Sequence, residues 1–302
     1  MKAVFWIAEG KQKELLLAKA FCEGFKIHGH ECELRPTHTY NGPAYDCDLA
    51  LIMGVKGISQ QCLRDHIKKR INVIYIDKGY VRLRSLEPNV PLLHYRFSIN
   101  AFQPLDYFQQ RPKPADRWKA LGYQLKPRKY INGSIIFAGS SQKYCNWHNL
   151  GNATDYAQKN IRRIRKIIKR SIIYRPKPSW HEAIPIEGTT FSHGKRRLTE
   201  DLKEAFALVT FGSNAAFDAI VEGIPVVVLG DSIARPIANT KLEELKEPFF
   251  PNDQQRWQWC CDLAYCQWTL DELRSGEAWH YLQNELPQCV FTSKAIIPQY
   301  HW

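Results

Sequence analysis

Short apolar runs alternate with amphipathic segments along the first half of the chain. Runs of four to seven apolar residues predict strands, and apolar positions with a helical period predict helices. Strands are expected at residues 2–8, 31–35, 49–53 and 72–76, with helices at residues 11–28 and 60–69. Because the connections are short, this alternation predicts a parallel sheet with helices on both faces.

The same alternation starts again in the second half, after an irregular region. Six prolines between residues 88 and 127 predict loops that end in a linker near residues 126–132. Beyond it, strands are expected at 134–138, 171–175, 207–210 and 225–229, helices at 154–169, 198–205 and 215–222, and a tryptophan-rich helical tail from 257.

The predicted fold class is therefore α/β, with two Rossmann-like parallel-sheet domains. We expect an N-terminal domain over residues 1–128 and a C-terminal domain over residues 129–280. Residues 281–302 are expected to pack back on the first domain. In such a fold ligands bind beyond the carboxyl ends of the strands, so the two domains are expected to face a central cleft.

Composition narrows the class of protein. The 302 residues are 44% hydrophobic and 24% charged, which is typical of a globular chain. The apolar runs are too short to span a bilayer, and the first ten residues lack a secretory signal, so a cytoplasmic protein without a membrane partner is expected. The nine cysteines include no Cys-x-x-Cys pair and are interpreted as reduced, mostly buried thiols without a disulfide framework.

Positive charge is concentrated in the first half of the chain. Of the net charge of +12, residues 1–130 contribute most, with 22 Lys and Arg against 12 Asp and Glu. This excess favours a polyanionic partner, with a basic domain of no such function as the alternative. The helix at 154–169 is also basic, and its charged face is interpreted as solvated, with contact to a polyanionic substrate as the alternative.

A glycine turn between a strand and a helix is the strongest local signal. The strand ends at Thr210, Gly212 allows a tight turn, and Ser213 and Asn214 suit the start of the next helix. Such a helix start can hold a phosphate, and Asp218 lies on the same helical face as Asn214, where it can accept hydrogen bonds from a ribose. The alternative is a Rossmann-like turn that binds no phosphate.

Two further loops follow strands of the second domain. Arg175 and Lys177 come at the end of one strand, in the segment Tyr-Arg-Pro-Lys-Pro, and would neutralise a diphosphate. The alternative is a surface proline loop with solvated charges. The other loop contains Gly139, Ser140 and Ser141, which could touch the diphosphate or the sugar.

Over residues 130–280 these motifs resemble the donor-binding region of GT-B glycosyltransferases, above all the Kdo- and capsule-transferase-like enzymes. The resemblance lies in the glycine–serine turn, the helix of the type acidic-Ala-x-x-x-Gly-x-Pro-Val, and the basic proline segment. Asp218 stands where these enzymes usually have Glu, Lys177 replaces their His, and the loop 231–240 has no assigned counterpart. The tail around residues 264–279 resembles bacteriophage-encoded relatives.

The resemblance implies a nucleotide-sugar donor, with a UDP-sugar as the expected one, and no required cofactor. The expected acceptor is a hydroxymethylated pyrimidine in phage DNA, because the first half is basic and the tail resembles phage proteins. A transferase also needs a base in that half, and Asp77 and then Glu9 follow predicted strands there. The expected DNA contacts are Lys78, Tyr80, Arg82, Arg84 and Arg96.

Alternative functions remain open at this point. The same donor motif would serve a surface-polysaccharide or lipopolysaccharide glycosyltransferase, and a nucleic-acid-binding protein without catalysis would share the basic half. No metal site is predicted. The Asp46-Cys47-Asp48 segment precedes a strand instead of ending one, and His28 and His30 have no further ligands in sequence.

Overall fold

The computed structural model describes residues 1–54, 57–86, 89–108, 112–130, 132–193 and 196–288. The chain forms two compact units. Among the described residues, the first consists of Met1–Lys113 and residues 262–288, and the second of Pro114–Cys261; the end of the expected C-terminal segment, residues 289–302, lies outside the described residues. The first stretch thus ends earlier than the expected boundary at residue 128, and the chain rejoins the first unit before residue 281.

Within the described ranges, eleven strands build two sheets. They are β1 (Lys2–Ile7), β2 (Glu31–Pro36), β3 (Leu49–Met53), β4 (Asn72–Lys78), β5 (Tyr95–Ile99), β6 (Ser134–Ala138), β7 (Ile172–Arg175), β8 (Thr190–Phe191), β9 (Ala205–Thr210), β10 (Val226–Val228) and β11 (Gln267–Trp268).

In the part of the chain that the structure describes, eleven α-helices and several short 3-10 segments connect and cover the strands. They are α1 (Gln12–Ile27), α2 (Ile58–Lys68), α3 (Leu105–Phe108), α4 (Asp116–Ala120), α5 (Gln142–Trp147), α6 (Ala153–Ile167), α7 (Leu198–Leu202), α8 (Ala215–Val221), α9 (Asp253–Ala264), α10 (Leu270–Arg274) and α11 (Glu277–Leu282).

The first sheet has the order β11-β5-β4-β3-β1-β2. Strands β1 to β4 are parallel, as predicted. At one edge, however, β5 pairs antiparallel with β4, and β11 pairs antiparallel with β5. The sequence analysis missed β5 because it lies in the proline-rich region, although every residue of the strand is buried. The sheet is therefore a parallel core with a mixed edge.

The C-terminal segment packs on α1 within the first unit. Gly24 of α1 lies so close to α10 that an added Cβ would sit 2.0 Å from the Leu273 carbonyl oxygen, so only glycine fits there. Trp279 of α11 packs edge-on against Phe25, with ring centroids 4.6 Å apart. Since β11 also pairs with β5, the first unit includes α10 and α11, which the sequence analysis assigned to the second domain.

The second sheet has the order β10-β9-β6-β7-β8, and all its pairs are parallel, as predicted. Helix α6 is capped by Asn152, whose side-chain oxygen accepts hydrogen bonds from two backbone N–H groups of the first turn. Ile161 and Ile164 of α6 are buried in the core under the sheet. The predicted helix at 198–205 is shorter than expected, because β9 already starts at Ala205.

Cys22 of α1 and Cys32 of β2 form a disulfide, with their Cα atoms 5.2 Å apart. This corrects the expectation that all thiols are reduced, which considered only Cys spacing and not the packing of α1 beside β2. Five of the other described cysteines are buried thiols outside this disulfide, as expected for small apolar residues. Within the described ranges, no helix is long and apolar enough to cross a membrane.

Candidate functional site

Two loops meet at the carboxyl edge of the second sheet. Ala138, the last residue of β6, is the register partner of both Arg175 on β7 and Thr210 on β9. The loops that follow these strands therefore leave the sheet side by side. Ligands of parallel α/β sheets bind at this edge, which makes it the candidate donor site.

The loop after β6 depends on a glycine. The Gly139 N–H donates to the Arg175 carbonyl oxygen at 2.8 Å, and an added Cβ would lie 3.1 Å from the Tyr174 ring. Ser140 is buried, while Ser141 is half-buried and precedes the first turn of α5 without a side-chain capping bond. The Ser141 hydroxyl is thus not used to cap the helix.

The turn after β9 is built on Thr210 and Gly212. The Thr210 hydroxyl donates to the Ala138 carbonyl oxygen at 2.9 Å and accepts from the Ser213 N–H at 3.3 Å, so it ties this turn to the end of β6. An added Cβ on Gly212 would lie 2.2 Å from the Asp231 carbonyl oxygen and 2.7 Å from the Tyr144 hydroxyl. Only glycine allows the turn to approach both groups.

The start of α8 differs in detail from the expectation. Ser213, and not Asn214, supplies the side-chain oxygen, which accepts from the Ala215 N–H at 3.3 Å. Asn214 already has helical dihedral angles and makes no capping bond. One turn later Asp218 is half-buried, and its charge adds to the effect of burial in raising the pKa of Tyr123.

Arg175 and Lys177 have different surroundings, although the sequence analysis grouped them. Arg175 is largely buried and donates to the Asp201 carboxylate at 2.8 Å and to the Ser192 hydroxyl at 3.0 Å. The Asp201 side chain is fully buried and also pairs with Arg196 at 2.6 Å. The Arg175 guanidinium is therefore committed to an internal ion pair, whereas Lys177 is exposed beyond the strand end.

In the first unit, Asp77 lies at the carboxyl end of β4, opposite Arg96 on β5. The Arg96 guanidinium lies 3.3 Å from one Asp77 carboxylate oxygen, which also accepts from the Tyr75 hydroxyl at 3.2 Å. The other oxygen accepts from the Lys78 N–H at 2.8 Å. The Asp77 side chain is 41% exposed, so it remains open to a ligand.

Two of the predicted DNA contacts lie in the core. The Arg96 side chain is only 3% exposed and lies over the rings of Tyr80 and Phe102. Tyr80 is buried as well, and its hydroxyl donates to Gln103 at 2.6 Å. Since both side chains are buried, neither Tyr80 nor Arg96 is accessible to DNA in this conformation, contrary to the expectation from the sequence. The neighbouring aromatic residues Tyr95, Phe97 and Phe102 are likewise buried and cannot stack on a base.

The remaining predicted residues of the first unit are accessible. Lys78 is exposed at the end of β4, and Arg82 and Arg84 are exposed on the loop between β4 and β5. Glu9 follows β1 with its side chain 81% exposed, 3.4 Å from the His38 ring nitrogen. Glu9 therefore lies largely in water.

Sequence reasoning missed Lys13, in the first turn of α1. Burial lowers the pKa of Lys13, and Lys78 lowers it further, while Glu14 and Asp77 oppose the shift. Lys13 and Asp77 therefore lie within electrostatic range at the carboxyl edge of the first sheet. The available signal was the position of Lys13 in the first turn of the predicted helix that follows the first strand.

His148 follows α5, beside the donor loops, and is fully buried. Its ring packs against Tyr144 and Phe211, with centroids 4.3 and 4.9 Å away. Burial lowers the pKa of His148 to about 3. In the unfolded chain the His148 ring binds a proton with a pKa of about 6.5. The contribution of neutral His148 to the unfolding free energy is therefore fully present above pH 6.5 and is lost as the pH falls toward 3.

Because of His148, we expect the unfolding free energy to decrease by up to about 1.4 kcal/mol for each pH unit below 6.5. Urea unfolding of the wild type and of His148→Phe between pH 7 and pH 4.5 measures this, and the variant should lose less stability on acidification. The exposed His181→Gln variant is the control and should follow the wild type. Equal pH slopes for His148→Phe and the wild type would contradict the assignment.

Among the described residues, no group of three or more His, Cys, Asp or Glu side chains is arranged to hold a metal ion. The Asp48 carboxylate instead accepts from the Lys2 N–H at 2.7 Å ahead of β3.

Solved structures with this fold include two parts of KpsC from Thermosulfurimonas dismutans. Its β-Kdo 2,7-transferase has a TM-score of 0.55 at 14% identity, covering 94% of this chain and 99% of that one. Its β-Kdo 2,4-transferase has a TM-score of 0.51 at 12% identity, covering 87% and 97%. No protein-family model and no curated protein matches the sequence. The likeness shows the fold, and it confirms the predicted GT-B-like fold class.

Proposed function

We propose that this protein is a glycosyltransferase that takes its sugar from a nucleotide-sugar. The observation that carries the proposal is the pair of glycine-dependent loops at the carboxyl edge of the second sheet. They are joined by the Thr210 hydroxyl, and Gly139 and Gly212 bring their backbones close to neighbouring groups. Backbone N–H groups at such an edge suit a diphosphate, because they donate without side-chain bulk.

The donor residues follow from the surroundings of each side chain. Gly139, Ser140 and Ser141 form one wall, and Gly212, Ser213 and Asn214 form the other. Since the Arg175 guanidinium is held by the buried Asp201 carboxylate, Lys177 is the cation we assign to the diphosphate. Asp218 is assigned to the ribose hydroxyls, one helical turn beyond Asn214. A UDP-sugar is the proposed donor, and the transfer is proposed to need no further cofactor.

For the acceptor we propose a hydroxymethylated pyrimidine in DNA. In support, Lys78, Arg82 and Arg84 are exposed at or next to the carboxyl edge of the first sheet, where Asp77 is the proposed base. A surface glycan is the second candidate. It is favoured by the two solved structures of similar fold, both of which are Kdo transferases. The two candidates share the donor site and differ in what the first unit must bind.

The deciding experiment supplies the protein with a panel of nucleotide-sugars and separate acceptors. Plain DNA, hydroxymethylated DNA and Kdo-containing glycan are incubated in parallel, and the digested products are analysed by mass. A hexose-sized mass gain on hydroxymethylated nucleosides alone is the expected result. A gain on the glycan alone would replace DNA by the glycan as acceptor, and consumption of no nucleotide-sugar in any arm would refute glycosyl transfer.

A further inference from the structure

Helix α6 of the second unit presents a row of cations to solvent. Lys159, Arg162, Arg163 and Lys166 are all exposed and, with Gln158 and Asp155, line a shallow groove of about 570 Å³. The opposite side of α6 is buried against the second sheet. The helix is thus anchored by its apolar side, and the cations lie on its solvent-exposed side.

Three cations of this α6 groove, Arg162, Arg163 and Lys166, have no acidic partner within salt-bridge distance among the described residues. Asp155 is the one acid in the groove, and it lies in the first turn of the helix, away from this group. Arg165 is directed elsewhere and donates to the Glu187 carbonyl oxygen at 2.7 Å.

Their spacing suits a polymer of phosphates. Lys159 and Lys166 are two helical turns apart, about 10 Å along the axis at 1.5 Å per residue. One DNA strand carries a phosphate about every 3.4 Å of helix axis, so this length corresponds to about three phosphates. We propose that the α6 groove binds the phosphate backbone of nucleic acid, with Arg162, Arg163 and Lys166 as the main contacts.

The side chains in the groove favour nucleic acid over an anionic membrane. Helices that lie on bilayers insert an apolar face between the lipids. In α6 that face is occupied by the protein core, and the groove contains no apolar side chain. Its remaining polar residue, Gln158, can donate a hydrogen bond to a phosphate or a base edge.

The α6 groove is separate from the candidate donor site. Just beyond the C-terminal end of α6, Arg170 donates to the Gly133 carbonyl oxygen at 3.3 Å, next to the first residue of β6. Most of the groove cations therefore lie toward the amino edge of the sheet, whereas Gly139 follows the carboxyl end of the same strand. The proposal goes beyond the proposed function, since a binding surface remote from the donor loops can hold nucleic acid whatever the acceptor.

The test is fluorescence anisotropy of the full chain with a labelled DNA duplex over a range of salt concentrations. The variant combines Arg162→Glu, Arg163→Glu and Lys166→Glu. It is expected to weaken binding at low salt by roughly tenfold or more, and to reduce the slope of log K against log salt by about 3, one unit for each lost phosphate contact. UDP binding by calorimetry should be unchanged in the variant.

The matched control replaces three exposed lysines by Glu at positions outside α6. These are Lys19 and Lys26 on α1 and Lys203 after α7, and this variant should keep the wild-type salt slope. Equal binding by wild type and the α6 variant, or no binding by the wild type, would overturn the proposal. So would tighter α6-dependent binding to phosphatidylserine vesicles than to DNA. If the wild type does not bind UDP in calorimetry, that counts against the glycosyltransferase proposal alone, because the anisotropy measurement of DNA binding uses no nucleotide-sugar.

Discussion

Asp77→Asn is expected to lower glycosyl turnover by about 10²–10⁴-fold and to leave nucleotide binding nearly unchanged. An acceptor hydroxyl has a very high pKa, so it must lose its proton as the anomeric carbon is attacked. Asp77 is the carboxylate that the first sheet presents at the end of β4. Arg96 and Tyr75 hold one of its oxygens, which orients the group, and its side chain remains 41% exposed.

Asparagine preserves the shape of the side chain but not its basicity. It also leaves the buried Arg96 without its counter-ion, so the unfolding midpoint must be measured beside the rate. A fall in kcat at an unchanged KM for the nucleotide-sugar, in protein that is folded at the assay temperature, is the result expected for a base. A variant that only loses stability would show full turnover below its unfolding midpoint.

Glu9→Gln is the matched comparison, because Glu9 is another strand-end carboxylate of the same sheet and is fully solvated near His38. We expect it to retain most of the turnover. Loss of turnover in Glu9→Gln with normal turnover in Asp77→Asn would reverse the two roles. Normal turnover in both variants would exclude a protein base at either position and favour a retaining mechanism.

Arg175→Ala is expected to destabilise the protein by about 3–5 kcal/mol. Asp201 is fully buried, and in the variant it would keep only Arg196, whose side chain is 49% exposed, as its cationic partner. Removing Arg175 therefore leaves the buried carboxylate with a half-exposed partner alone, so its charge is compensated less completely than in the wild type. Urea unfolding followed by circular dichroism measures the change.

Lys177→Ala is the control, since Lys177 lies two residues farther along the same segment but is exposed. It should leave the unfolding midpoint in place and weaken nucleotide binding by roughly 1.5–3 kcal/mol, the scale of a charge-assisted hydrogen bond. Replacing both members of the buried pair, with Arg175→Met and Asp201→Leu, should recover much of the lost stability. Wild-type stability with lost nucleotide affinity in Arg175→Ala would instead make Arg175 a donor ligand.

Local patterns determined most of the secondary structure. Strands β1, β3 and β6 and helix α6 lie close to where the apolar period places them, because a strand or helix must bury one apolar face wherever it packs. The turn at Gly212 could also be predicted, since a tight exit from a parallel strand requires a residue without a side chain. The parallel order within each half follows from the short connections between these elements.

Only the tertiary structure decided which charged side chains are paired inside the protein and which are exposed. Arg175 and Asp201 are 26 residues apart, and Arg96 meets Asp77 only because β5 turns antiparallel to β4. Strand β11 joins the same edge from far along the chain, and Cys22 reaches Cys32 through the packing of α1. Pairings of this kind depend on which elements become neighbours. Sequence periodicity reports which face of an element is buried, but not which partner lies across from it.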